Sequence, residues 1–265
     1  MARILVRGSG DVGSAVALRL RQAGHQVVVH DEPRPGHARR GMAFTDAFFE
    51  GTAILDGQRA KRARRIEDLA PMVACGHAIP VSDADFREVA AALGPDALVD
   101  ARMRKHASPE PLRGQAPLAV GLGPGFVAGE HADVVVETAW GEALGAVIRA
   151  GAARAQAGDP RSIDGHGRDR YVYSPVAGLF LTGLAIGARV DAGDEVARIG
   201  DSVVLAPISG VLRGLTHDGA QVRVGAKVVE VDPRGDCAAA FGVGERPDRI
   251  AAGVVAAIAE ALGRG

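Results

Sequence analysis

The chain has 265 residues, 47% apolar and 24% charged, with a formal net charge of −1. This is enough for two modest globular domains or one large one, and it leaves no charge excess to draw the chain onto nucleic acid or an anionic membrane. Cys75 and Cys237 lack CxxC spacing, which argues against a disulfide framework or a structural zinc site. No apolar run reaches the roughly 18 residues of a membrane span. The short run after Met1 does not fit a signal peptide, so the expected location is the cytoplasm.

Ile4-Leu5-Val6 reads as a buried strand, and Gly8-Ser9-Gly10-Asp11-Val12-Gly13 after it fits GxGxxG. Ser14 to Ala23 reads as a helix, with Val12, Val16 and Leu20 on one stripe and Gly24 as its stop. Val27-Val28-Val29 is a second strand, with Asp31 at its end. In such a unit Gly8 permits the tight turn, Gly10 lets a pyrophosphate approach the backbone, and Gly13 lets helix and strand pack closely. The first helical turn favours an anion, and Asp31 is spaced to accept a ribose hydroxyl. The plainer alternative is a loop that serves packing alone. Asp11 favours that alternative unless it points away from the phosphates.

Arg39-Arg40 precede a stretch from Met42 to Leu55 expected to be β-rich, with Asp56-Gly57 as a hairpin turn. Arg59, Lys61, Arg62, Arg64 and Arg65 read either as a solvated face or as a phosphate-binding rim. Asp83 to Leu93 reads as a helix and Ala97-Leu98-Val99 as a strand. Because ligands of open α/β sheets sit beyond the carboxyl ends of strands, Asp100, Arg102, Arg104 and Lys105 are candidate anion contacts. Leu118-Ala119-Val120 leads into a second glycine-rich loop, whose Gly123-Pro124-Gly125 forms a sharp turn and is a further candidate contact. Val134 to Thr138 reads as a strand and Glu142 to Ala155 as a helix.

Ser174-Pro175-Val176-Ala177-Gly178-Leu179-Phe180 returns 32 positions later as Ala206-Pro207-Ile208-Ser209-Gly210-Val211-Leu212. Gly187 to Val190 returns at the same offset as Gly219 to Val222, and Gly193, Val196 and Ile199 match Gly225, Val228 and Val231. An ungapped repeat of this kind predicts two pseudo-symmetric β-units on one core. The spacing is similar to that of lipoyl and biotinyl barrel-sandwich domains. No Lys stands from Val196 to Pro207, where those domains carry the modified side chain, so no lipoyl or biotinyl group is expected. The expected fold is α/β: an N-terminal Rossmann-like parallel sheet with helices over 1–158, a small all-β barrel-sandwich (lipoyl/biotinyl-like) domain over 171–235, and a helical segment over 236–265 that returns to the first domain.

Several motifs together resemble the YqeB family, accessory proteins of selenium-dependent molybdenum hydroxylase systems. They are Val6-Arg7-Gly8-Ser9-Gly10-Asp11, Arg39-Arg40 with Ala43-Phe44 and Glu50-Gly51, and Leu98 to Lys105. Gly121 to Phe126, Val135 to Thr138, Ala206 to Gly210 and Val231 to Arg234 complete the set. The resemblance implies a role in maturing a xanthine dehydrogenase-like hydroxylase. Family members often carry Cys after the Ala-Phe dipeptide, where this chain has Thr45.

Three functions follow as expectations. The first is a maturation factor that binds a nucleotide-bearing ligand, such as a molybdopterin dinucleotide or NAD(P), and has the client hydroxylase or other maturation factors as partners. The second is an NAD-dependent oxidoreductase, though no proton-relay pair stands out. The third is a scaffold that docks the client through the β-units. No HxH or HExxH pattern argues for a metal, and a homo-oligomer is compatible with all three.

Overall fold

The computed structural model of the chain describes residues 1–104, 108–155 and 160–263. In chain order it begins β1 (Arg3–Arg7), α1 (Asp11–Gln22), β2 (Gln26–His30), α2 (Ala47–Glu50), β3 (Thr52–Leu55), β4 (Gln58–Arg62), α3 (Leu69–Cys75) and β5 (Ile79–Ser82). It continues α4 (Phe86–Leu93), β6 (Ala97–Asp100), β7 (Leu118–Leu122), β8 (Val127–Ala128), β9 (Val134–Val136), β10 (Val147–Ile148) and β11 (Gly151–Ala152). The second half holds β12 (Tyr171–Tyr173), β13 (Gly178–Leu181), β14 (Arg189–Val190), β15 (Glu195–Ile199), β16 (Ser202–Leu205), β17 (Gly210–Leu215), β18 (Ala220–Val222), β19 (Lys227–Asp232) and α5 (Glu245–Leu262).

The apolar strands β1, β2, β6 and β7 are buried on both faces, as strands covered by helices must be. Ile4, Val6, Val27 and Val29 face α1 and α5, whose Val16, Leu20, Ile250 and Val254 close one layer. Leu5, Val28 and Leu98 face the other way, onto Leu69 of α3 and Val89 of α4. The nine strands stand in the order β10-β9-β7-β6-β1-β2-β5-β4-β3. Those from β4 to β9 run parallel, and chain order reverses direction between β1 and β6.

The expected fold is corrected in both halves. The large sheet is mixed, not parallel, because β3 and β10 pair antiparallel at its two edges. Asp56 (φ 45°) and Gly57 (φ 78°) form the two-residue turn from β3 to β4, a geometry that joins only antiparallel strands. The C-terminal strands form two separate four-stranded antiparallel sheets, β12-β19-β17-β14 and β16-β15-β13-β18, and not a lipoyl/biotinyl-type barrel. Their edge strands pair on one side only, so neither sheet closes. Phe180, Ile199, Leu212, Leu215, Val229 and Val231, all fully buried, fill the core between them.

The helix expected over 142–155 is absent. Gly141, Gly145 and Gly151 take positive φ there, and the segment carries the short strands β10 and β11 instead. Of the stretch from Met42 to Leu55, only the last four residues are strand. Ala47–Glu50 is a helical turn that brings Phe44 and Phe48 into the core. The segment between β2 and α2 bridges the halves: the Leu215 N–H donates to the Ala38 carbonyl at 2.8 Å.

Candidate functional site

The loop Gly8-Ser9-Gly10-Asp11-Val12-Gly13 joins β1 to α1 at the point where the sheet order reverses. Such a crevice is where open α/β sheets place ligands. Gly8 has φ +107°, and a Cβ there would stand 2.9 Å from the Ala101 carbonyl oxygen. A Cβ on Gly13 would stand 2.0 Å from the Gly8 carbonyl oxygen, so this glycine is required for packing. A Cβ on Gly10 would meet Nδ1 of His37 at 3.1 Å. The His37 ring therefore covers the face of Gly10 that a pyrophosphate would approach.

Asp31 is 8% exposed and is engaged within the chain. Its Oδ2 accepts from the Ser9 N–H at 2.6 Å, from Ser9 Oγ at 2.7 Å and from His37 Nε2 at 2.9 Å. Its Oδ1 accepts from the Glu32 N–H at 2.8 Å. Burial pushes the carboxyl up, but His37 and the Ser9 donors outweigh it and hold Asp31 at about 2. Burial pushes His37 down, and Asp31 more than reverses this. Asp31 thus positions the loop, and a ribose hydroxyl would have to displace His37. Thr45, at the position often Cys in the family, is fully buried and donates to the Ser9 carbonyl at 2.8 Å.

The Asp11 carboxylate lies against the first turn of α1, on an N–H that a phosphate there would use. Its Oδ1 accepts from the Val12 N–H at 3.0 Å and its Oδ2 from Arg39 Nη1 at 2.9 Å. Arg39 crosses to the second half, where its Nε and Nη2 donate to Glu230 at 2.8 and 3.1 Å. Glu230 is fully buried and also receives Arg170 Nη1 at 2.6 Å and Lys227 Nζ at 2.8 Å. Arg213 lies 3.7 Å away and is shared with Asp232. Arg246 donates to the Thr138 carbonyl at 2.8 Å, close enough to stabilise ionised Asp11. Burial pushes Lys227 down to about 8, with Arg39 acting in the same sense against Glu230. The buried Nε atoms of Arg170 and Arg213 have no hydrogen-bond partner among the described residues. Arg39 therefore links the Asp11 carboxylate at the start of α1 to a buried charge cluster in which Arg170, Arg213 and Lys227 gather on Glu230 and Asp232.

The other predicted residues fall in separate places. Arg40 forms a two-oxygen pair with Asp46 at 2.8 and 2.9 Å and donates to the Leu215 carbonyl, away from the glycine loop. Asp100 is buried at the end of β6, where Arg102 Nε reaches both its oxygens at 3.0 Å. Arg104 donates to Glu110 at 2.8 Å. Gly123 and Gly125 have φ of +84° and +91°, as the sharp turn requires. Pro124 joins Asp100, Met103, Arg104, Leu122 and Phe126 around a cavity of about 20 Å³, room for little more than a water. Lys105 lies outside the described residues. Of the basic run, Arg62 is held by Asp83 and Arg65 by Asp68, which makes them part of the local surface. Among the described residues, no group of three or more His, Cys, Asp or Glu side chains is arranged to hold a metal ion, and no helix is long and apolar enough to cross a membrane.

Arg170 and Glu230 stand in no sequence motif, and His37, near the nucleotide strands, reads from the sequence as a surface residue. A signal existed for Glu230, a charge set inside the apolar run Val228-Val229-Glu230-Val231. For His37 the signal was its nearness to the nucleotide strands, while its place over Gly10 is set by the turn through Pro33, Arg34, Pro35 and Gly36.

No protein-family model matches the chain. Three solved structures align over most of it. The product-bound ectoine utilization protein EutE (DoeB) of Ruegeria pomeroyi is 16% identical, with 88% of this chain and 85% of that one covered and a TM-score of 0.26. A succinylglutamate desuccinylase of Silicibacter sp. TM1040 is 16% identical, with coverages of 87% and 84% and a TM-score of 0.24. A succinylglutamate desuccinylase/aspartoacylase of Rhodobacter sphaeroides is 17% identical, with the same coverages and a TM-score of 0.27. At such scores the likeness carries no argument about this chain. The uncharacterized protein YqeB of Escherichia coli K12 is 35% identical over 255 residues. The match takes in 96% of this chain and 47% of YqeB, so the chain spans about half the length of that relative. The match supports the resemblance to the YqeB family, over nearly the whole of this chain and about half of YqeB.

Proposed function

We propose that the chain is an accessory protein in the maturation of a xanthine dehydrogenase-like molybdenum hydroxylase, and that it binds a nucleotide-bearing ligand such as a molybdopterin dinucleotide or NAD. The pathway rests on the family resemblance. The ligand class rests on one observation, the cationic cluster of Arg39, Arg170, Arg213 and Lys227 around Glu230, which Arg39 links to the first turn of α1 and to which Arg246 adds a charge near Asp11. A helix start favours anions through its N–H groups and dipole, and here a phosphate would take the place of the Asp11 carboxylate on the Val12 N–H. Guanidinium groups add the forked donors that suit phosphate oxygens. Bound phosphates would sit between the glycine loop and β19, after His37 has turned off Gly10.

The test is native mass spectrometry of the chain made together with a molybdenum hydroxylase. A non-covalent nucleotide-bearing mass is expected, released on denaturation. Arg246→Ala should weaken retention by about tenfold, the loss of roughly 1.4 kcal/mol of binding. A bare polypeptide mass, together with silent titrations of both NAD and molybdopterin dinucleotide, would remove the proposal.

A further inference from the structure

A second concentration of charge lies at the carboxyl ends of β1 and β6. Arg7 ends β1 with its side chain only 10% exposed, its guanidinium carbon 4.0 Å above the centre of the Phe86 ring. Glu110, on the irregular segment between β6 and β7, accepts from Arg7 Nη1 at 3.0 Å, Arg102 Nη2 at 3.1 Å and Arg104 Nη2 at 2.8 Å. Glu110 is half exposed, while Leu112, two residues on, is fully buried and anchors the segment. The buried Nε of Arg7 has no hydrogen-bond partner among the described residues. A largely buried arginine is costly to keep without full pairing. Among the described residues its one charged hydrogen-bond partner is a half-exposed carboxylate, which it shares with two other arginines.

We propose that Arg7, Arg102 and Arg104 form a binding site for a phosphate monoester group, and that Glu110 occupies it as an internal stand-in which the ligand displaces. With Glu110 turned out to solvent, three guanidinium charges face the single carboxylate of Asp100. That excess matches a phosphate monoester, which carries about −1.5 to −2 charge at pH 7. A carboxylate ligand would leave it half neutralised. The forked donors suit tetrahedral phosphate oxygens, and the site stands where the strand order reverses, the favoured ligand position in open α/β sheets. The inference is independent of the nucleotide reading, which places its phosphates at Arg39 and Lys227.

The probe is inorganic phosphate, read by thermal melting and by calorimetric titration of the full chain. Glu110→Gln removes the charge that competes for the site, so this variant should melt lower than wild type in phosphate-free buffer. Phosphate should then raise its melting temperature more than it raises that of wild type, with binding at least about tenfold tighter. Adding Arg104→Ala to Glu110→Gln should abolish the gain. Phosphate that stabilises Glu110→Gln no more than wild type would overturn the proposal. So would a gain that survives Arg104→Ala, or acetate stabilising the variant as well as phosphate does. Should Glu110→Gln fail to fold, Glu110→Asp, which withdraws the carboxylate by one methylene, carries the same comparisons.

Discussion

Glu230 joins the two halves of the chain, and its replacement by Gln isolates the electrostatic part of that joint. The carboxylate is fully buried and receives Arg39, Arg170 and Lys227. Gln keeps the volume but removes the charge and turns an amide N–H₂ toward guanidinium donors. Removing one partner of a buried ion pair costs about 3–5 kcal/mol, because the remaining charges stay buried without compensation. For a chain near this size each kcal/mol lowers the melting temperature by about 2–4 °C, so Glu230→Gln should lose roughly 6–20 °C at pH 7. Differential scanning calorimetry reads this directly. The acid limb gives a second reading. Burial pushes Glu230 up, but Lys227 and Arg39 hold it well below the usual carboxylate range. A folded value below the unfolded one confers stability that is present above about pH 4.5 and is lost as pH falls toward the folded value. The gap between wild type and variant should therefore narrow in acid. A variant that melts within about 2 °C of wild type at pH 7 would refute the reasoning, since that is under 1 kcal/mol.

Gly13→Ala forces a methyl carbon to 2.0 Å from the Gly8 carbonyl oxygen. It should cost at least the roughly 1–3 kcal/mol of ordinary overpacking, seen as a drop of several degrees in a thermal melt. Gly10→Ala meets only the His37 side chain, at 3.1 Å, and should melt within about 2 °C of wild type, or under 1 kcal/mol. Equal losses in the two variants would contradict the assignment of packing to Gly13 and ligand approach to Gly10. His37 is held above its ordinary value by Asp31, so its contribution is full below about pH 6.5 and fades as pH rises through the folded value. The melting-temperature difference between wild type and His37→Gln should shrink from about pH 6 to pH 9, and a constant difference would show that the pair does not stabilise the loop.

The local unit from β1 to β2 was legible because each feature has a local cause: apolar runs, glycines at a turn, a stripe of Val and Leu, and an acid at the strand end. The repeat was equally visible as identical spacing. What failed depended on pairing. Whether β3 and β10 run with or against the sheet is set by turns and neighbours, and the alternating glycines at 141, 145 and 151 broke a segment whose composition suggested a helix. The site was legible only as a list. Gly10, Asp11 and Arg39 come together beside the helix start, whereas Arg40 is drawn off by Asp46 and Arg102 by Asp100. Asp31 had the right spacing for a ribose, but Ser9 and His37 engage its Oδ2 and the Glu32 N–H its Oδ1. The partners that organise the cluster, Glu230 and Arg170, lie 191 and 131 residues from Arg39 in sequence, beyond the reach of any local pattern.

The interleaving of the two β-repeats has a consequence for how this region forms. Strands β12 to β15 make up the first repeat and β16 to β19 the second, yet each sheet takes its two central strands from one repeat and both edge strands from the other. Neither repeat can complete a sheet alone. Deleting either one removes strands from both sheets and opens the core around Phe180 and Leu212. The region must therefore form in one cooperative step, with many distant contacts made late, and its folding should be slower than its length alone implies. For the same reason, a single 32-residue repeat made by itself would leave its strand edges unpaired, and pairing with a second copy of itself about a two-fold axis would restore the order seen here. The duplicated chain holds within one polypeptide an arrangement that separate copies would reach only as a dimer.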